Sequence, residues 1–218
     1  MRKKGFTLVE LLVVIAIIAL LMGILMPALA RVRQIAFRMV CGTNLSGLGK
    51  AMLIYSNDYD DEYPRAGGRN SVWTQMIPNW MADNRYTAYG LSADGSGGNA
   101  TITSSLYLLV KYAEVTPKSY ICKGDSGTTE FKMSDVGAGN MELIDAWDFG
   151  PEASEHCSYS YHMPYGLYAL TSSSEPGMAV AADRNPWISS PGAEGKSADI
   201  LGSYVPTGGK EIINQGNA

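Results

Sequence analysis

The clearest pattern in the chain is a long apolar stretch close to its start. Residues 11–26 are apolar throughout, and Glu10 is the only strongly polar side chain between Phe6 and Met26. As a helix rising about 1.5 Å per residue, this stretch reaches roughly 30 Å, the thickness of a bilayer core. Its Leu, Ile and Val side chains favour insertion by roughly 4 to 8 kcal/mol, which exceeds the cost of one carboxylate near its edge. The pattern predicts a membrane-spanning helix.

The helical pattern continues beyond the apolar stretch. Apolar residues recur at steps of three and four along one face, at Val32, Ile35, Ala36, Met39, Leu45, Leu48, Met52, Tyr55 and Tyr59. The simplest prediction is one helix from residue 6 to about residue 56, roughly 75 Å long. Pro27 is expected to kink or locally melt this helix. Three glycines between residues 42 and 49 weaken its second half, which must therefore pack against a domain.

After Pro64 the pattern changes to shorter elements. It predicts a helix over residues 101–114, capped by Thr103 or Ser104. Strands are predicted at residues 119–122, 157–163, 166–170 and 178–182, with a turn at 164–166 that joins two of them into an antiparallel hairpin. Few large apolar side chains follow residue 189, so loops are expected there. The predicted fold class is α+β, with a long N-terminal helix packed on a small antiparallel sheet and a loop-rich periphery.

Composition narrows the function classes. The 218 residues provide for the anchor and one further domain, and the net charge of −4 gives no basic footprint for nucleic acid. Three cations precede the apolar stretch, and Arg31, Arg33 and Arg38 follow it, so a count of positive charges does not decide its orientation. A signal peptide is disfavoured because the apolar stretch is too long and only a weak cleavage pattern follows it.

Residues that could support catalysis or metal binding are few. His156 and His162 lie near Cys157 in the sequence, but this set lacks the spacing of a structural zinc site, and strand-end histidines are the favoured interpretation. No phosphate-binding loop is present. The acidic run of Asp58, Asp60, Asp61 and Glu62 leaves calcium open as a ligand, although its spacing is not that of an EF-hand, and a solvated helix exit is favoured. We therefore expect neither enzymatic activity nor a cofactor.

The order of residues at the start carries a specific resemblance. Residues 5–10 (GFTLVE), 11–19 (LLVVIAIIA) and 27–29 (PAL) closely resemble the class III leader of type IV pilins and type II secretion pseudopilins. The resemblance implies a leader of residues 1–5 that a prepilin peptidase removes between Gly5 and Phe6, followed by methylation of the Phe6 amine. It also assigns an assembly role to Glu10 and a helix kink to Pro27. A carboxylate in lipid needs a cationic partner, and the new amine of Phe6 supplies one, in the same or a neighbouring subunit.

A second resemblance covers residues up to about 64. Residues 41–45 (CGTNL) and 58–64 (DYDDEYP) resemble a pseudopilin-like group of Planctomycetes and Lentisphaerae-type bacteria. Downstream the likeness is thinner: residues 120–125 (YICKGD) carry lysine where that group has proline. The group's closing strand has no counterpart in residues 215–218, which leaves open whether a final strand is missing. The expected domains are residues 6–27 in the membrane, 28–58 as the amphipathic half of the helix, and 59–218 as the globular domain.

Three cysteines in an oxidising compartment permit three single disulfides. Cys122 and Cys157 fall in two predicted strands, and neighbouring strands bring α-carbons within disulfide distance. The sequence thus favours a Cys122–Cys157 disulfide, with Cys41 buried as a small apolar residue on the helix. A Cys41–Cys122 bond, which would tie the helix to the domain, is the alternative.

Taken together, these patterns and resemblances predict a structural pseudopilin subunit of a type II secretion-like or type IV pilus-like filament. It would be a single-pass protein of the bacterial inner membrane with a periplasmic C-terminal domain, found in a periplasmic or extracellular filament after assembly. Its expected partners are the prepilin peptidase, other pilin or pseudopilin subunits and membrane lipid. A membrane-tethered periplasmic binding module, for a glycan or protein ligand bound through Trp and Tyr side chains, is the alternative function.

Overall fold

A computed structural model describes residues 8–125, 127–138, 140–162, 170–174 and 177–183 of the chain. The described helices are α1 (Leu8–Asp58), α2 (Arg85–Tyr89) and α3 (Ile102–Tyr112), and the strands are β1 (Val72–Trp73), β2 (Asn99–Ala100), β3 (Tyr159–Tyr161) and β4 (Ala181–Asp183). Short 3-10 helices cover Pro117–Tyr120, Leu143–Asp145 and Ala153–His156. The chain divides into two compact units, Met1–Met39 and Val40–Ala218, so the boundary falls inside α1.

Helix α1 confirms the prediction of one long N-terminal helix. It contains 51 residues and ends at Asp58, two residues beyond the predicted end. Its buried side chains all lie beyond residue 40 and share one face: Cys41, Leu48, Ala51, Met52, Tyr55 and Ser56. This part of the helix belongs to the second unit, and packing in that unit's core compensates for the weak helix propensity of its glycines.

The core of the second unit contains a cluster of aromatic side chains. Phe149 lies at its centre, with the Tyr107 ring at 4.8 Å and the Tyr120 ring at 4.9 Å, both edge to face. Each phenol also finds an acceptor: Tyr107 donates to the carbonyl oxygen of Leu143 at 2.8 Å, and Tyr120 to that of Leu106 at 2.9 Å. These two tyrosines therefore contribute buried apolar area without leaving their hydroxyl groups unsatisfied.

The N-terminus of α3 corrects the predicted cap. Thr101, and not Thr103 or Ser104, is the N-cap residue, and its hydroxyl accepts from the backbone N–H of Ser104 at 2.8 Å. The Ser104 hydroxyl oxygen accepts from the Thr101 backbone N–H at 3.0 Å and completes a capping box. The cap thus lies two or three residues earlier than the sequence pattern indicated, and the helix begins at Ile102.

A buried carboxylate, Asp148, lies against this helix start. It is 2% exposed, and its oxygens accept from the hydroxyls of Thr101 at 2.8 Å and Thr103 at 3.2 Å and from the backbone N–H of Phe149 at 2.8 Å. Burial raises the pKa of Asp148 from its ordinary value near 3.8 to about 7, although these hydrogen bonds act in the opposite direction.

This raised pKa predicts that the domain loses stability as the pH rises. The folded state holds the Asp148 proton more tightly than the unfolded state, so its stabilising effect is complete below about pH 4 and is lost as the pH passes 7. The pKa difference corresponds to roughly 4 kcal/mol at most. Asp148→Asn should abolish this dependence in urea unfolding curves recorded between pH 4 and 8, whereas Asp135→Asn, at an exposed site, should keep it. An unchanged dependence in Asp148→Asn would refute the assignment.

The sheets agree with the α+β prediction in class but differ in arrangement. Strands β3 and β4 pair antiparallel, Tyr159 with Asp183 and Tyr161 with Ala181, and they lie within or beside the predicted strands 157–163 and 178–182. Strands β1 and β2, which the sequence pattern did not predict, form a separate parallel pair with Val72 opposite Asn99. Within the described ranges, the predicted small sheet is therefore replaced by two two-stranded sheets, one of which is parallel.

The predicted strand at residues 119–122 is wrong. Pro117 begins a 3-10 helix there, and the backbone N–H of Ser119 donates to the carbonyl oxygen of Thr116 at 2.9 Å. Proline fixes φ near the helical value and needs no donor at the first helical position, so it favours this turn. The predicted turn at 164–166 and nearly all of the predicted strand at 166–170 lie outside the described residues, as does the whole region after Asp183.

Candidate functional site at the N-terminal helix

The first part of α1 exposes its apolar side chains. Leu8, Ile15, Leu20 and Leu25 are between 56% and 78% exposed, and Met39 is 69% exposed. By length and composition α1 can cross a membrane, and its most apolar stretch is not buried. A surface of this size and composition requires lipid or other apolar helices around it.

Glu10 is the acidic residue in the first turn of this helix. A carboxylate there interacts favourably with the helix macrodipole, which contributes about 0.3 to 1 kcal/mol. That contribution alone does not account for a carboxylate next to an apolar stretch of this length. An ionisable side chain at such a position indicates a functional residue. The predicted cleavage residues Gly5 and Phe6 lie outside the described residues, so their proposed pairing with Glu10 stays a prediction.

Pro27 lies inside α1, and the helix continues through it. Local melting at this position, one of the two predicted outcomes, is therefore wrong. Proline removes one backbone hydrogen bond, to the carbonyl group of Gly23 four residues earlier. The kink at Pro27 stays a prediction.

The disulfide joins Cys41 to Cys122, with their α-carbons 5.4 Å apart. The predicted Cys122–Cys157 bond is wrong, and the alternative is confirmed. Cys157 is 1% exposed, and its Sγ donates to the carbonyl oxygen of Tyr159 at 3.3 Å. The bond fastens α1 to the chain that follows α3, within the second unit.

Neighbouring backbone contacts explain this pairing. The segments around Cys122 and Cys157 do lie side by side, because Ser158 N–H donates to the Tyr120 carbonyl oxygen at 2.8 Å. It is the Ser158 hydroxyl, however, that meets the Cys122 backbone N–H at 3.0 Å. Helix α1 lies against the same place: the Asn44 amide donates to the Ile121 carbonyl oxygen at 3.2 Å. Cys122 therefore meets Cys41 on the helix instead of Cys157.

Comparison with known proteins gives a match at the N-terminus. Residues 1–26 match the family model of the prokaryotic N-terminal methylation motif. The chain carries the class III leader of pilin-like proteins. No match was found among curated proteins or solved structures.

This leader supports membership of the type IV pilin-like and pseudopilin family. It indicates a pilin-type protein that is processed by a prepilin peptidase, and it favours a structural over an enzymatic role. In the part of the chain that the structure describes, the helix long and apolar enough to cross a membrane lies near the N-terminus, which fits a pilin-like protein anchored in the inner membrane. The likeness to the Planctomycetes and Lentisphaerae-type group stays a prediction.

The acidic run at the end of α1 forms the exit from the helix. Asp60 and Asp61 adopt positive φ angles of 48° and 61°, which turn the chain away from the helix axis. The Asp61 carboxylate accepts from the Ser172 hydroxyl at 3.0 Å, and Glu62 forms an ion pair with Arg65 at 2.9 Å. Two of the four carboxylates that were considered as calcium ligands are therefore already bonded to protein groups.

Among the described residues, the potential metal ligands that lie close enough together are Cys41, Cys122 and Asp183. Two of them form the disulfide, so the oxidised protein offers no thiolate there. The histidines lie elsewhere. His156 Nδ1 is 3.0 Å from the carbonyl oxygen of Thr129, and the ring packs against Phe131 at 5.3 Å. These contacts agree with the structural interpretation of His156.

A cavity of about 290 Å³, which the sequence pattern did not indicate, lies beside the exit from α1. Its lining includes Tyr55 and Tyr59 of α1, Tyr112 of α3, and Arg65, Arg69 and Arg85. The spacing of Tyr55 and Tyr59 by one helical turn was visible in the sequence, but Tyr112 and Arg85 come from elements far along the chain. Only the folded chain brings these groups together.

Proposed function

We propose that the chain is a structural pseudopilin subunit that assembles into a type II secretion-like or type IV pilus-like filament. The observation that carries the proposal is the class III leader joined to a helix whose apolar side chains are exposed. In the membrane, lipid covers these side chains; in a filament, helices of other subunits take the place of lipid. Assembly thus exchanges one apolar environment for another and gains packing between helices.

The proposed sequence of events begins with the leader. Prepilin peptidase cuts the bond between Gly5 and Phe6, and the new Phe6 amine is methylated. The anchor, residues 6–27, holds the subunit in the inner membrane with residues 59–218 in the periplasm. Residues 28–58 link the two as the amphipathic half of the helix, and Pro27 marks the junction.

Glu10 directs assembly in this proposal. Its carboxylate pairs with the Phe6 amine of a neighbouring subunit that is shifted along the filament axis. An opposite charge within a few ångströms is worth far more in a low-dielectric surrounding than in water, so the pair favours one register between subunits. Charge neutralisation also removes the cost of each group in the apolar filament core.

Glu10→Ala should leave membrane insertion and leader cleavage intact, because the substitution removes a charge from the apolar region. Incorporation into filaments should fall steeply, since the neighbouring Phe6 amine would lose its counter-charge. Glu10→Gln, which keeps the size of the side chain, should behave like Glu10→Ala. The measurement is the amount of subunit in sheared or purified filaments from cells without the wild-type protein.

Val9→Ala is the matched control, because it shortens an adjacent side chain without changing charge. It should assemble normally. Filaments that contain Glu10→Ala at the wild-type level would refute the charge pair, and failure of Val9→Ala as well would show that the position senses packing and not charge.

The alternative, a membrane-tethered binding module, differs in one requirement. A tethered module needs the apolar helix but has no need of a cut before Phe6. Recovery of the processed, N-methylated Phe6 terminus from native membranes therefore favours the filament subunit.

A further inference from the structure

The cavity beside the exit from α1 has an aromatic wall. The rings of Tyr55 and Tyr59 stack in parallel, with centroids 4.1 Å apart and planes 9° apart. The Tyr112 ring is tilted toward Tyr59 with centroids 5.5 Å apart. Tyr55 is buried, whereas Tyr59 and Tyr112 are 38% and 44% exposed. The rings of Tyr59 and Tyr112 therefore remain accessible to solvent, and the buried Tyr55 ring packs against both.

The same cavity has an excess of positive charge. Its lining includes the guanidinium groups of Arg65, Arg69 and Arg85 and the carboxylates of Asp60 and Glu62. Glu62 pairs with Arg65 at 2.9 Å, which leaves two guanidinium groups against one carboxylate. The net charge of the whole chain is −4, so this local balance is opposite to that of the protein. An anion would be attracted to the cavity despite the overall charge.

Arg85 is held in place for such a role. Its Nη2 donates to the carbonyl oxygen of Gly67 at 3.0 Å, and Gly67 itself lines the cavity. One hydrogen bond occupies one of the five donors of a guanidinium group. The remaining donors can form the paired hydrogen bonds that favour a planar carboxylate.

The phenol groups add neutral donors. A tyrosine hydroxyl ordinarily titrates at about pH 10 and keeps its proton at neutral pH. Burial, above all, raises the pKa values of Tyr55, Tyr59 and Tyr112 further. The cavity thus combines aromatic faces, hydroxyl groups and guanidinium groups. The faces suit the C–H surface of a sugar ring, the hydroxyls suit its polar rim, and the guanidinium groups suit a carboxylate.

We infer that this cavity binds an acidic saccharide, with a sugar ring against Tyr59 and Tyr112 and its carboxylate at Arg85. The volume of about 290 Å³ lies at the small end of ligand sites, which fits one or two sugar units. This inference goes beyond the proposed function, because filament assembly does not require it.

The test uses the purified full-length protein in a sugar-free detergent and calcium-free buffer, with isothermal titration calorimetry. The probes are digalacturonate and its neutral counterpart, galactobiose. The carboxylate should give digalacturonate an affinity at least about tenfold higher than that of galactobiose. Added salt should reduce this preference, because the opening of the cavity is accessible to solvent.

Two variants test which side chains cause the preference for digalacturonate over galactobiose. Arg85→Gln should lose most of the preference for the acidic probe, and Tyr112→Ala should weaken binding of both probes by about tenfold. Tyr86→Ala is the matched control: Tyr86 is 47% exposed, neighbours Arg85 in sequence and does not line the cavity. Its affinities should equal those of the wild type.

Tryptophan fluorescence should confirm that each variant is folded. Absence of binding, equal affinity for the two probes, or an equal loss in Tyr86→Ala would overturn the inference. Displacement of digalacturonate by benzoate at similar affinity would also overturn it, since the site would then recognise an aromatic acid and not a sugar. None of these results depends on leader cleavage or filament assembly, so the two proposals can fail separately.

Discussion

Gly5→Leu should leave the whole leader, residues 1–5, on the protein. The resemblance to prepilins assigns Gly5 to the residue before the cut, and a peptidase that acts at a glycine must hold it in a space too small for a branched side chain. The mature N-methylated Phe6 terminus should disappear from native membranes and be replaced by an intact Met1. Mass spectrometry of the N-terminal peptide measures this directly.

Gly5→Ala is the matched control, because it adds only one methyl group. This variant should still be cut, and its mature terminus should again be N-methylated Phe6. An uncut wild-type protein in cells with an active prepilin peptidase would contradict the proposed processing, as would normal cutting of Gly5→Leu. Since Phe6 would not gain its free amine, uncut Gly5→Leu should also be missing from filaments.

The helix and the leader could be predicted because their information is local. The apolar stretch of residues 11–26 and the helical spacing of Leu48, Met52 and Tyr55 are periodic signals that persist over many turns. In the structure α1 extends from Leu8 to Asp58, and those three side chains are buried. Repetition made the prediction robust, since no single residue decided it.

The disulfide could not be predicted in the same way. It depends on which side chains face each other where α1 meets the two adjacent segments around Cys122 and Cys157. Residues around Cys122 and Cys157 do lie together, yet Asn44 shows that α1 reaches the same place and brings Cys41 with it. A shift of one residue, from Cys157 to Ser158, changes which side chain points at Cys122. The pattern of residues along the chain does not encode this register between the segments around Cys122 and Cys157.

The short strands were not predicted for a related reason. Strands of two or three residues, such as β1 and β2, carry too few positions for an alternating pattern. Their pairing is decided by the loops that bring them together, and the carbonyl group of Gly98, which accepts from Val72 N–H at 2.9 Å, belongs to such a loop. The cavity was missed because Tyr55, Tyr112 and Arg85 meet only through tertiary packing.

Reduction of the Cys41–Cys122 disulfide should lower the free energy of unfolding of the second unit by about 4 to 5 kcal/mol. The bond joins residues separated by 81 positions, and closing a loop of that length removes much of the conformational freedom of the unfolded chain. The loss is comparable to a third or more of the stability of a typical domain. All four tryptophans lie after residue 72, so urea unfolding followed by tryptophan fluorescence reports on this unit.

Two variants separate the disulfide from the buried thiol. Cys41→Ala combined with Cys122→Ala should have the stability of the reduced wild type and should not respond to reductant. Cys157→Ala keeps the disulfide, so reductant should destabilise it by the same amount as the wild type, whatever its own packing cost. Peptide mapping without reduction should yield a linked pair that contains Cys41 and Cys122. A pair that contains Cys157, or a wild type whose stability ignores reductant, would contradict the pairing.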